Sequence, residues 1–167
     1  MYKAKPFKTQ SKFECKVQHI IENLTKHEFP TAYPPWLKYK GRQLELDGYS
    51  DKLKIAFEAQ GPMHRRLDSR FDECYDRYYR RLENDAAKKI LCDKNNVDLI
   101  TVDYDLPKNH IETYIKSRLY DICKKNPTHP LCKQFSEKPM DYLIEFLPEV
   151  YRNKPLEKEL NLSSPIV

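Results

Sequence analysis

Asp47, Glu58 and Gln60 are the residues of this 167-residue chain whose types and spacing could do chemistry. They stand in "LELDGYSDKLKIAFEAQG", residues 44–61, where Asp47 precedes a turn and Glu58 interrupts an apolar run. Glu58 and Gln60 are two apart, so an extended chain puts both on one face. A hairpin through the intervening turn brings Asp47 to the same end of the sheet. Two carboxylates so close repel, and partial burial makes it costly for both to stay ionised. A divalent cation relieves that conflict. Mg2+ prefers oxygen ligands, commonly one or two carboxylates with water and phosphate oxygens around them. Beside a phosphodiester, such an ion acidifies water and screens charge building on the phosphate. Gln60 can orient that water through its amide but brings no positive charge, which leaves Lys88, Lys89 or His64 to supply it. Two alternatives stay open at this level: Glu45 in place of Asp47, and an amphipathic strand whose wet face merely happens to carry Glu58 and Gln60.

The elements that must position these residues are legible around them. "SKFECKVQHIIENLTKHEF", residues 11–29, reads as a helix that opens with Ser11 and Glu14 as a capping box. Phe13, Val17, Ile20, Ile21 and Leu24 form its buried stripe. "FPTAYPPWLKYKGR" is an extended connector, because Pro30, Pro34 and Pro35 remove donors and fix φ. "QLELD" and "LKIAFEAQ" read as the two strands of an antiparallel hairpin around "GYSDK". In the second strand Ile55, Phe57 and Ala59 share one face, with Ala56, Glu58 and Gln60 on the other. An arginine-rich loop precedes a long helix from Phe71 to about Lys94, with Phe71, Tyr75, Tyr78, Leu82 and Ala86 as its expected inner stripe. "DLITVDY" is a third strand and "HIETYIKSRLYDICKK" a further helix buried through Ile111, Tyr114, Ile115, Leu119 and Ile122. "MDYLIEFLPEV" is the last expected helix. The fold class is therefore α/β, a small mixed sheet flanked by helices.

Composition narrows the function classes. With 40% hydrophobic and 33% charged residues the chain is globular rather than disordered. It has no apolar run long enough to span a bilayer and its start lacks the apolar stretch of a signal peptide, so the expected compartment is intracellular, nucleus or cytoplasm, with no membrane partner. Five cysteines, an odd number without a CxxC, fit reduced thiols. Cys123, His129 and Cys132 are three soft donors within ten residues, but zinc needs a fourth, so incidental thiols are the better reading. Net charge is +5, and residues 1–40, with eight lysines and three acids, carry an excess of that size. A basic flank beside an acid-bearing centre suits a polyanion near a cation site, although an ordinary lysine-rich surface has the same charge.

"LELDGY", "LKIAFEAQG", the histidine of "QGPMH" and "NDAAKKILCDKNNVDLITVDY", preceded by "FPTAYPPWL", together resemble the PD-(D/E)XK nuclease superfamily. The likeness is to a homing-endonuclease-like, giant-virus branch related in fold to very-short-patch repair endonucleases, and covers residues 11–105. It implies a restriction-endonuclease-like mixed β-sheet flanked by helices, with extra C-terminal helices. Residues 1–10 then form a basic extension, 11–105 the nuclease-like core, 106–152 a C-terminal helical extension and 153–167 a weakly ordered tail. Asp47 and Glu58 match the metal-binding acids, with the Ala59 carbonyl as a further ligand, and Gln60 the variable position where lysine is commonest. His64 matches the histidine after the glycine, and Asp85 and Lys88 the acid and lysine of the next helix. Glu22 is the equivalent of the first-helix glutamate, with Glu14 its competitor. Met63, Arg65 and Tyr33 depart from the branch, which usually has glutamine, tyrosine and arginine there; all three touch the implied substrate face.

The resulting expectation is an endonuclease using Mg2+, or Mn2+ in its place, to hydrolyse DNA, with a homodimer open. Asp47, Glu58, Gln60, His64, Lys88 and Glu22 make its catalytic set, and Arg65, Arg66, Arg70, Lys38 and Lys40 grip the backbone. Two rivals are a nucleic-acid-binding scaffold without turnover, motivated by the missing lysine at position 60, and a protein-interaction domain built on the C-terminal helices.

Overall fold

A computed structural model of the chain describes residues 10–61 and 73–135. Helix α1 (Lys12–Thr25) begins with the expected capping box: Ser11 Oγ accepts from the Glu14 N–H at 3.1 Å, and Glu14 Oε2 accepts from the Ser11 N–H at 2.7 Å. Val17 and Ile21 are fully buried, with Phe13, Ile20 and Leu24 packed at the margin. Lys26, left-handed at φ 58°, ends the helix.

The connector is less irregular than its prolines suggest. Strands β1 (Lys38–Tyr39) and β2 (Arg42–Gln43) form a small antiparallel hairpin whose turn puts Lys40 and Gly41 at φ 47° and 72°. Upstream, Ala32 and Leu46 exchange both backbone hydrogen bonds, at 3.1 and 2.9 Å. That pairing corrects the strand expected at 43–47. Leu44 and Leu46 go into the core and their backbone is taken by the connector, so the main hairpin begins one step later. Its strands are β3 (Gly48–Ser50) and β4 (Ile55–Gln60), antiparallel, with Gly48 opposite Phe57. Helix α2 (Glu73–Lys94) then crosses over to β5 (Asp98–Asp103), which runs parallel to β4 with Gln60 opposite Asp103. The sheet order β3-β4-β5 is mixed, as expected.

Helices cover both faces. On one, Ile55, Phe57, Ile100 and Val102 pack against α1 and α3 (Ile111–Lys125), whose buried side chains include all five expected ones. On the other, Ala56 meets Ala87, Leu91 and Cys92 of α2, with Leu37, Leu44, Leu46 and Val97 around them. Here the expected stripe is corrected. Ala87 and Cys92 are fully buried, whereas Tyr78, Leu82 and Ala86 are half-exposed. The sheet takes the side of α2 that offers small groups and one lysine, not the side richest in aromatic rings. Expectations for Phe71, Tyr75, the last helix and the tail fall on residues whose side chains or backbone lie outside the described set.

After α3 a short turn, α4 (Cys132–Phe135), closes the described chain. His129 between them is buried, with Nε2 2.8 Å from the Leu53 carbonyl and Nδ1 accepting from the Leu131 N–H at 3.2 Å. Both ring nitrogens are committed, so His129 ties the α3–α4 corner to the β3–β4 turn and is not available to a metal.

Gly48 has no room for a side chain. A Cβ there would stand 2.7 Å from Phe57 Cδ1 and 2.8 Å from the Phe29 carbonyl oxygen. We expect Gly48→Ala to destabilise the fold by about 1–3 kcal/mol in urea unfolding, with Phe57→Leu recovering part of the loss in the double variant. Additive losses would mean that the ring does not set the limit.

Candidate metal and phosphate site

Gly48 opposite Phe57 fixes the next pair: one step further along the register Asp47 faces Glu58. Both are only 8% exposed. The two side chains cross to each other's backbone. Glu58 Oε1 accepts from the Asp47 N–H at 3.3 Å, and Asp47 Oδ2 accepts from the Ala59 N–H at 2.9 Å. In an extended strand the Ala59 carbonyl points to the same side as its N–H, toward Asp47. Lys88 reaches down from α2 and donates to Glu58 Oε2 at 2.7 Å, in an ion pair whose side chains are 14% and 11% exposed. Gln60, two residues on, shares the α2 side of β4 with Glu58.

Lys88 is bonded to one of the two buried carboxylates, Glu58. Burial pushes the Glu58 carboxyl up from 4.5 to about 7; Lys88 pulls it down, and the neighbouring Asp47 charge pushes it up again. The same pocket lifts the buried Cys92 thiol to about 12, through desolvation first and the Glu58 charge second. Among the described residues no group of three or more His, Cys, Asp and Glu side chains is gathered to hold a metal. The donor set is therefore two carboxylates and a backbone carbonyl, all hard oxygens. That set fits Mg2+, which typically takes one or two protein carboxylates and leaves the remaining positions to water and phosphate. It would not suit zinc, whose nitrogen and sulfur ligands are missing.

The other expected residues have bonds and positions of their own. Glu45 accepts from the Tyr33 hydroxyl, so Asp47 and not Glu45 is the acid brought to Glu58. Glu14 belongs to the α1 cap. Glu22 Oε1 accepts from the Phe29 N–H at 2.8 Å and from Gln18 Nε2 at 3.2 Å, which fastens α1 to the connector. The connector in turn donates from Thr31 Oγ1 to the Asp47 carbonyl at 3.3 Å. Lys38 is exposed on β1, and Lys40 pairs with Glu83 of α2 at 3.0 Å. Trp36 packs edge-on to Tyr49, as core and not as a base-stacking platform. His64, Arg65, Arg66 and Arg70 lie outside the described residues. One acid escaped the sequence reading: Asp103 is 7% exposed and sits opposite Gln60, on the Glu58 side of the sheet. The polar last position of "DLITVD" was the available signal.

No protein family and no solved structure matches the chain. Two curated viral proteins do. "Uncharacterized protein 307L" of Invertebrate iridescent virus 6 is 34% identical over 76 residues, 46% of this chain and 38% of that protein. "Uncharacterized protein 094L" of Frog virus 3 is 39% identical over 80 residues, 47% of this chain and 50% of its own length. The matched stretches span half or less of these relatives. Neither name carries an activity, so function rests on the site. No helix among the described residues is long and apolar enough to cross a membrane.

Glu58 gives the site a pH signature. Its carboxyl titrates near 7 when folded and near 4.5 when unfolded. Glu58's contribution to stability is therefore fully present below 4.5 and is lost as pH rises to 7, by about 3 kcal/mol in all. In urea unfolding between pH 4 and 8 the parent should lose stability relative to Glu58→Gln; parallel profiles would show that the carboxylate ionises at little cost.

Proposed function

We propose that the chain is a divalent-metal-dependent endonuclease that hydrolyses DNA phosphodiesters on a restriction-endonuclease-like fold. The observation that carries this reading is the Asp47–Glu58 pair: two opposed carboxylates, nearly excluded from water, with Lys88 bonded to Glu58. Buried carboxylates converging at the end of a sheet, one of them with a strongly raised pKa, are what a cation site commonly presents. Mixed β3-β4-β5 pairing with α1 and α2 on opposite faces supports the fold assignment, and so do the four motifs kept in order over residues 11–105.

Asp47, Glu58 and the Ala59 carbonyl would hold the ion. Bound there, Mg2+ would supply charge neutralisation for the phosphate and a more acidic water. The protein groups around it have separate tasks. Gln60 orients the attacking water through its amide. Lys88, anchored on Glu58, presents positive charge to the phosphate oxygens and stands in for the lysine absent from position 60. The connector holds Asp47 in register through Thr31, and Glu22 holds the connector. Arg65, Arg66, Arg70 and the lysines at 38 and 40 supply backbone grip.

A second reading has its own support. Lys88 already bonds Glu58, and the described residues offer only two carboxylates at the centre, which suits a scaffold that binds DNA without cutting it. Plasmid and oligonucleotide cleavage with Mg2+ or Mn2+ separates the two. The nuclease reading expects chelator-sensitive cutting that falls by roughly 100- to 1,000-fold in Asp47→Ala and in Glu58→Ala. Steeply salt-dependent DNA binding with no cutting under either ion decides for the scaffold.

A further inference from the structure

Asn84 lies in the middle of the α2 face turned toward the sheet. At 100° per residue it falls between Ala87 and Lys88 and beside Leu91, four residues before the lysine that grips Glu58. Its side chain is half-buried, and its Oδ1 is buried without a hydrogen-bond partner. A second such atom among the described residues, Arg118 Nε, has a different setting. That guanidinium pairs with Asp121 at 3.3 Å and stacks over Tyr114 at 5.2 Å, on the opposite face of the sheet. Asn84 has no comparable explanation within the fold.

Its place along the sheet follows from two contacts. Cys92 packs in the cluster with Ala56, and Lys88 meets Glu58, so α2 runs antiparallel to β4. Four helical residues rise about 6 Å and two strand residues about 6.7 Å. The next step on each element brings Asn84 level with Gln60, one strand step beyond Glu58. An acceptor buried there without a donor carries a desolvation penalty that folding does not recover. What approaches it must bring an N–H or O–H. A DNA phosphodiester is ionised and has only acceptors, so the phosphate itself cannot be that group. Water can, and a hydrolase must place one at this spot.

We infer that Asn84 holds the attacking water: its buried amide oxygen accepts one hydrogen bond from the water, Gln60 orients it from β4, and Lys88 meets the phosphate beside them. The inference rests on the hydrolytic reading of the site and adds a residue from α2 to it. Asn84→Leu removes the acceptor at nearly constant volume, and Asn84→Asp keeps an oxygen in place.

The test combines single-turnover and steady-state cleavage with thermal unfolding of the protein alone. Asn84→Leu should lower kcat by roughly 100-fold with KM for DNA unchanged, while Asn84→Asp stays within about tenfold of the parent. Without DNA or metal, the leucine variant should melt higher than the parent, because an unsatisfied acceptor has been replaced by an apolar group of similar shape. Cleavage by Asn84→Leu at the parent's rate overturns the inference while leaving the nuclease reading standing. So does a raised KM at constant kcat, which would place Asn84 on DNA, or a lowered melting temperature, which would give its oxygen a structural partner. A parent that never cleaves overturns the nuclease reading and this inference together.

Discussion

The mutual repulsion of Asp47 and Glu58 is the constraint around which the rest of the structure is arranged. Each carboxylate is brought out of water and turned onto the other's strand, where a backbone N–H receives it. Such crossed bonds fix the geometry but neutralise nothing. Lys88 compensates in part; burial first, and the Asp47 charge after it, keep the Glu58 carboxyl above its usual range. The parallel crossover through α2 matters for this reason. It lays a helix antiparallel to β4, so that side chains one turn apart on the helix come level with alternate residues of the strand. A lysine on that helix then arrives at the acid without any special loop.

Such an arrangement is a poor way to stabilise a fold. An apolar residue at position 58 would pack against Ala56, Ala87 and Cys92 without a charge to compensate. Natural proteins keep residues of this kind where function asks for them and accept the loss of stability. The same logic separates the acids of this chain. Glu14 and Glu22 receive N–H donors and organise helix ends and connectors, whereas Asp47 and Glu58 confront one another. An acid that a local network fully employs has little left to offer a ligand.

Much of this was legible in the sequence, for identifiable reasons. The α1 cap depends on residues three apart, and the α3 stripe on a simple 3.6-residue period with no competing face. Asp47, Glu58 and Gln60 were found because acids are conspicuous in an apolar hairpin. The strand at 43–47 was misread because alternation reports burial, not which neighbour takes the backbone; Ala32, far upstream, took it. The face of α2 was misread because aromatic rings outweighed the modest Ala87, Leu91 and Cys92. Gln60's lack of charge pointed to Lys88, Lys89 or His64, and the resemblance added Lys88 as a match; periodicity alone scores a lysine as solvent. Asn84 gave no signal, and Asp103 only the polar end of its strand: their importance lies in which strand residue stands level with them.

One feature of the C-terminal half bears on how the chain can be divided. Helix α3 supplies Ile111, Ile115 and Leu119 to the same core as Phe57 and Val102, and His129 clasps the Leu53 carbonyl from beyond it. Residues 106–135 thus form one wall of the sandwich. The stretch that carries the nuclease likeness is not a detachable cassette: transplanted alone, it would leave a greasy sheet face bare. Any transfer of this unit into another chain must carry that wall along or provide a substitute.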